Sequence, residues 1–232
     1  MMDAAGPARG YRYEVKFVVE GLDIHHARAL LRTHPACFSE VYPPRYVNNI
    51  YFDTVVQTAY WHNLAGAADR AKLRIRWYGK LFGAISRPVL EYKIKRGSVG
   101  TKLAYPLPPF RLDTGFSQGD LMDIIQSAGS LPAEVRRDLT HLRVALLNRY
   151  YRAYFATPDR RFRVTLDSEL TFYRICCLQN TFAHRQIDRR HLIVELKYDA
   201  QYASEAHRIA SRFPFRATRN SKYVAGIQRV GR

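Results

Sequence analysis

The chain has 232 residues, enough for one large domain with a real core, and its composition (47% hydrophobic, 13% aromatic) is that of a folded protein. No apolar run approaches the roughly 20 residues of a bilayer-spanning helix, no signal-peptide pattern opens the chain, and Cys37, Cys176 and Cys177 do not make a disulfide framework, which together point to a cytoplasmic protein. A formal charge of +17 predicts attraction to polyanions: nucleic acid, nucleotide, anionic membrane or polyphosphate.

Residues 1–10 read as a loose leader and residues 11–232 as a single domain. Residues 11–20 alternate as a strand, with Tyr11, Tyr13, Val15 and Phe17 on one side and Arg12, Glu14 and Lys16 on the other. Asp23 N-caps a helix to about Thr33, which Pro35 ends. A strand over 46–52 leads to Asp53 and Thr54, which cap a short helix to about Leu64. Strands over 71–79 and 88–96 form a hairpin across a loop, 101–107 adds a short strand, and the proline-rich stretch 106–115 is an irregular connection. Helices follow at 117–128 and 132–142, the second opened by Pro132. Strands are predicted at 148–156, 161–167, 169–176 and 191–198, with 180–190 a polar loop. Asp199 opens a helix to about Arg212, and a tail carries Arg216, Arg219, Ser221, Lys222 and Tyr223. Helices interrupting a mostly antiparallel β pattern give an α+β class, and about eight strands are enough to close a barrel.

Charges alternate inside these strands: Arg12-x-Glu14-x-Lys16, Lys72-x-Arg74-x-Arg76, Glu91-x-Lys93-x-Lys95, Arg163-x-Thr165-x-Asp167 and Glu195-x-Lys197. For any one segment a wet sheet face is the simpler interpretation. Two features favour a site. The set is biased toward Lys and Arg, whereas a solvated face mixes signs, and Glu recurs two residues before Lys. Arg grips phosphate oxygens bidentately and Lys acts as a point charge. Phosphoryl transfer also uses a divalent metal, which takes carboxylate ligands. Glu195 is the first candidate for that ligand, followed by Glu14 and Glu91. His25 and His26 read as solvated, Cys176-Cys177 as a buried pair of small residues, Gly97–Gly100 as a plain loop, and Tyr150, Tyr151 and Tyr154 as packing.

The motifs RYEVKF (12–17), IYFDT (50–54), LRIRWYG (73–79), LEYKIKRG (90–97), YYRAYF (150–155), RVTLD (163–167), VELKYD (194–199) and SKYVAGI (221–227) stand in one order. In that order the chain resembles the VTC domain, the polyphosphate polymerase domain of the vacuolar transporter chaperone complex and its bacterial relatives, in the triphosphate tunnel (CYTH-like) superfamily. The resemblance covers about residues 11–228. It implies a closed eight-stranded antiparallel β-barrel (a triphosphate tunnel) with flanking helices. It also implies phosphate binding and catalysis by Lys16, Arg74, Arg76, Lys93, Arg152, Arg163 and Lys222, with Lys102 a less distinctive addition, and metal binding by Glu195. Either Arg149 or Arg152 fits the inward arginine, and the YYR motif favours Arg152. The implied activity transfers the γ-phosphoryl group of ATP to a growing polyphosphate chain with Mn2+ or Mg2+. Alternatives are hydrolysis of inorganic or nucleoside triphosphate and an inactive polyphosphate-binding module. Triphosphatase and cyclase relatives open with Glu-x-Glu-x-Lys. Arg12 replaces the first Glu here, which favours the VTC branch. The expected partners are ATP and polyphosphate, with no specific nucleic acid. The chain is expected to be a stand-alone bacterial form without a transmembrane segment, which leaves room for a membrane-protein partner.

Overall fold

Strand alternation here serves two different surfaces: an apolar outer face held under helices and a charged inner face. The computed structural model describes residues 12–96, 99–129 and 131–231, so the leader at 1–10 and residues Gly97 and Ser98 of the glycine loop lie outside the described residues. In chain order the elements are β1 (Arg12–Glu20), α1 (Ile24–Arg32), β2 (Ser39–Asp53), α2 (Thr58–Leu64), β3 (Arg70–Tyr78), β4 (Gly83–Ile85), β5 (Val89–Arg96), β6 (Val99–Pro106), β7 (Phe110–Leu112), α3 (Gln118–Ser127) and α4 (Ala133–Thr140). They continue with β8 (Arg143–Ala156), β9 (Arg163–Tyr173), β10 (Arg185–Asp188), β11 (His191–Asp199), α5 (Ala203–Ser211) and α6 (Lys222–Val230).

Apolar side chains of β1, β8, β9 and β11 pack under α1 and α5 through Phe17, Phe155, Leu166, Val194, Leu31 and Ile209. Those of β2, β3, β5 and β8 pack under α3 and α4 through Ile50, Ile75, Leu90, Leu147, Leu121 and Leu139. The helix ends follow local chemistry. Asp23 caps α1 by accepting the His26 N–H at 2.9 Å, and Ser117 with Asp120 makes a reciprocal capping box for α3.

The closed eight-stranded barrel does not form. One antiparallel sheet of nine strands runs β1-β11-β9-β8-β2-β3-β5-β6, with β10 beside β9, and its edges β1 and β6 do not pair among the described residues. The outer edge of β1 is already occupied. Phe17 bridges Ala217, the Thr218 N–H donates to the Lys16 carbonyl at 2.8 Å, and the Val18 N–H donates to Thr218 Oγ1 at 3.1 Å. Around Lys16–Val18 the strand edge is satisfied in this way and offers β6 no ladder.

Other differences are local. The strand expected at 46–52 starts at Ser39, because register shifts between Glu40 and Tyr42 and between Tyr42 and Arg45 absorb Pro43 and Pro44. The two strands expected over 161–176 are one, β9, with Glu169 at a positive φ of 52° instead of a break. Segments read as loops contain β4, β7 and β10, and the C-terminal tail contains α6. Cys176 is exposed and Cys177 half-buried, so they are not a buried pair. Among the described residues, no helix is long and apolar enough to cross a membrane.

Candidate anion-binding site

Cross-strand register sets the alternating charges side by side on the inner face. Lys16 stands opposite Glu195, Glu195 opposite Thr165 and Lys197 opposite Arg163, and Asp167 opposite Arg152. On the other half, Arg74 stands opposite Glu91, and Lys72 opposite Lys93, which in turn stands opposite Lys102. The sheet curls enough for the two halves to meet: Glu14 on β1 approaches Lys93 on β5 at 3.8 Å. The result is a trough. One end is filled by α6, whose Tyr223 and Ile227 pack on Leu146, Phe172 and Ile193. Gly226 permits this contact, since a Cβ there would lie 2.3 Å from Leu146 Cδ2 and 2.7 Å from Phe172 Cδ1. Tyr223 donates to Asp53 Oδ2 at 2.5 Å, which ties α6 to the start of α2, where Asp53 also accepts the Ala59 and Tyr60 N–H groups.

Two carboxylate centres organise the cations. Glu195 and Asp167 are buried together. Glu195 Oε2 receives Lys197 Nζ at 2.7 Å, Arg152 Nη2 at 3.2 Å and Thr165 Oγ1 at 3.2 Å. Among the described residues its Oε1 faces only the ammoniums of Lys16 and Lys222, each at 3.4 Å. Asp167 takes Arg152 at 2.5 and 2.6 Å and Lys222 at 2.5 Å. Burial alone would raise both carboxyl pKa values, but the surrounding cations outweigh it. They hold Glu195 well below and Asp167 below the ordinary carboxylate range. Lys222 is shifted upward, because Asp167 and Glu195 outweigh its own desolvation.

The second centre is Glu91, 3% exposed, which takes Arg74 at 2.7 and 2.9 Å on Oε2 and Arg76 and Lys102 at 2.7 Å on Oε1. Burial pushes its pKa up, but Arg74, Arg76 and Lys102 bring it down to about 2. Arg74 also donates to the Tyr51 hydroxyl at 3.4 Å.

Beside the Glu91 centre lies a lysine row in which Lys102 pairs with Glu91, Lys93 approaches Glu14 at 3.8 Å, and Lys72 has no carboxylate partner among the described residues. Lys72, Lys93 and Lys102 are direct cross-strand neighbours on three adjacent strands. Like charges so placed repel. Lys72 donates to Ser221 Oγ at 2.9 Å, and its pKa is pushed down to about 7, first by burial and then by Lys16, Lys93, Arg70 and Arg74. Among the described residues, the basic positions that share this face, among them Lys16, Lys72, Arg74, Arg76, Lys93, Lys102, Arg152, Arg163 and Lys197 with Lys222 from α6, outnumber its carboxylates, Glu14, Glu91, Asp167 and Glu195 among them.

The strand residues expected in the site from sequence share one face by register, and Lys222 reaches it from α6, with two distinctions. Arg152, not Arg149, points inward: three residues apart on β8, they face opposite sides of the sheet, and Arg149 lies 3.4 Å over the Tyr46 ring. Glu91 is enclosed by three cations, whereas Glu195 Oε1 and Glu14 hold theirs at 3.4 Å or more. Asp167, Thr165, Lys197 and Lys72 share the alternation that revealed the others, yet no motif gave them a role. Ser221 and Tyr150, over whose ring Lys222 Nζ lies at 4.8 Å, could be placed only once α6 was.

Among the described residues no three His, Cys, Asp or Glu side chains gather as a metal cage. The donor set suits a hard divalent ion that arrives with phosphate oxygens and borrows one or two carboxylates. The loosely contacted Glu195 Oε1 is the first candidate for such a ligand and Glu14 the second.

The curled antiparallel sheet is a fold shared with solved proteins of low sequence identity. A candidate adenylate cyclase from Bacillus halodurans is similar in fold at TM-score 0.52 and 14% identity, covering 97% of this chain and 98% of that one. A second candidate adenylate cyclase, from Vibrio parahaemolyticus, aligns at TM-score 0.50 and 12% identity, covering 91% and 95%. The VTC domain family matches residues 11–230, and the chain belongs to that family. No curated protein matches it by sequence.

Proposed function

We propose that the protein is a metal-dependent phosphotransferase that moves the γ-phosphoryl group of ATP onto the end of a polyphosphate chain lying in the trough. The observation that carries this is the Lys72–Lys93–Lys102 row, a set of cross-strand repulsions that an extended polyanion relieves. A terminal phosphate oxygen of the chain attacks the γ-phosphorus, the bond to the β-phosphate oxygen breaks, and ADP leaves. Catalysis is then positioning and charge neutralisation, with no protein nucleophile. Arg74, Arg76, Arg152 and Arg163 grip phosphate oxygens, and Lys16, Lys93 and Lys222 neutralise charge around the transferred group. Mn2+ or Mg2+, held by Glu195 and Glu14 together with phosphate oxygens, would supply Lewis-acid charge at the γ-phosphate. The other carboxylates keep the cations apart and aimed.

Incubation with ATP and Mn2+ or Mg2+ tests this. ADP together with an acid-insoluble phosphate polymer supports it. Release of free phosphate without polymer identifies a triphosphatase in the same trough, and binding without turnover identifies a binding module. Arg74→Ala is expected to lower the rate of polymer formation by about 100-fold, the scale of losing one preorganised charge donor.

A further inference from the structure

Beyond the two carboxylate centres, toward the end of the trough opposite α6, one cation has no acidic partner. Arg45 lies on β2 directly opposite Arg152 on β8, a like-charge cross-strand pair. The register shift around Pro43 and Pro44 immediately precedes it. A bulge in this position re-aims the next side chain, a recurrent device beside binding sites. The Arg45 guanidinium carbon lies 4.4 Å from the Tyr78 ring centroid and 5.0 Å from that of Tyr154, and its Nε donates to the Tyr154 hydroxyl at 3.3 Å. The Tyr42 edge packs on Tyr154 at 5.9 Å. Among the described residues Arg45 forms no ion pair, and both its terminal amino groups are left for a ligand. The Tyr78 ring also carries the Arg76 guanidinium at 5.2 Å, so Arg45 extends the Arg74–Arg76 row by one step.

Two rings and a hydroxyl hold an exposed arginine in one orientation. This lowers the side-chain entropy lost when it binds an anion. We propose that Arg45 is the outermost phosphate ligand of the trough, reached only by chains longer than a triphosphate. It thereby makes the protein prefer long polyphosphate to short. The assignment rests on the phosphate-binding function proposed above and adds a determinant of chain length to it.

Titration calorimetry at fixed ionic strength, with tripolyphosphate, long-chain polyphosphate and ATP as separate ligands, tests the assignment. The wild-type protein should bind the long chain more tightly than tripolyphosphate. Arg45→Gln should weaken long-chain binding about tenfold and leave tripolyphosphate unchanged. Tyr154→Phe keeps the ring and removes only the hydroxyl that orients the guanidinium, so it should give a smaller loss confined to the long chain. An equal loss for both phosphate ligands, or no loss for the long chain, overturns the role of Arg45. A loss confined to ATP also overturns it and assigns Arg45 and its tyrosines to a nucleobase. A wild-type protein that binds no tripolyphosphate overturns the phosphate-binding function itself, and this assignment with it.

Discussion

Lys72 sits where the charge balance is worst, and its chemistry can be read by pH. Its pKa of about 7 lies well below the ordinary 10.5, so near neutrality it is half protonated. A bound anion favours the charged form. Affinity for tripolyphosphate should therefore be high below pH 7 and fall as pH rises through 7, with proton uptake on binding. Lys72→Met should flatten that profile, and an unchanged profile in the variant would remove Lys72 from the site. The effect on stability has the opposite sign. Between about pH 7 and 10.5 the unfolded chain holds this proton and the native protein does not, so this group makes stability rise with pH across that window. Glu195 separates two roles in the same way. Glu195→Gln replaces one carboxylate oxygen with an amide nitrogen and removes one negative charge from among four cations. It should cost at least about 100-fold in metal-dependent turnover while tripolyphosphate binding without metal is kept or tightened. Loss of metal-free binding would mean that Glu195 holds the trough together instead of serving a metal. Legibility was uneven at this scale. Arg74, Lys93, Glu195 and Asp167 all lie in motifs whose order is specific, but Asp167, buried at 0% exposure, had no role until Arg152 and Lys222 were placed against it.

At the scale of elements, long alternating strands were legible, because period-2 patterning is a local property. β1 and β11 stand within a residue or two of their sequence bounds. Short strands were not: β4, β7 and β10 have three or four residues each and are defined by partners far along the chain. The helix α6 was missed for a related reason. Its nine residues include Gly226, which weakens helix propensity, so its stability comes from packing on the sheet. Gly226 is the point at which this can be tested. Gly226→Ala improves propensity by about 1 kcal/mol but places a Cβ 2.3 Å from Leu146 Cδ2. Overpacking of that kind costs about 1–3 kcal/mol. The variant should be less stable in denaturant titrations, and it should bind tripolyphosphate more weakly, because Lys222 and Ser221 move with the helix. A stabilised variant with unchanged binding would show that α6 does not anchor the trough.

For the whole molecule, the sequence motifs located the charged face but not the way the sheet ends. Closure depends on what occupies the edges, and only the structure shows residues 217–218 on the edge of β1. Net charge, by contrast, was fully legible, and the fold concentrates it: basic side chains outnumber carboxylates along one trough in a protein of formal charge +17. Self-repulsion of this kind destabilises the compact state, and a ligand that binds only the folded protein offsets it by mass action. At 100 times its dissociation constant a ligand adds about 2.7 kcal/mol. In a chain of this size each kcal/mol is worth roughly 2–4 °C, so tripolyphosphate should raise the melting temperature by about 5–10 °C. Salt should act in two directions. Without ligand, moderate NaCl should raise the melting temperature by screening the lysine row. With ligand, the same salt should shrink the increment, since it competes for that attraction. Thermal melts across a grid of NaCl and tripolyphosphate read both effects at once. A ligand increment that does not depend on salt would mean that the trough binds by shape or apolar contact, and its excess positive charge would then need another explanation.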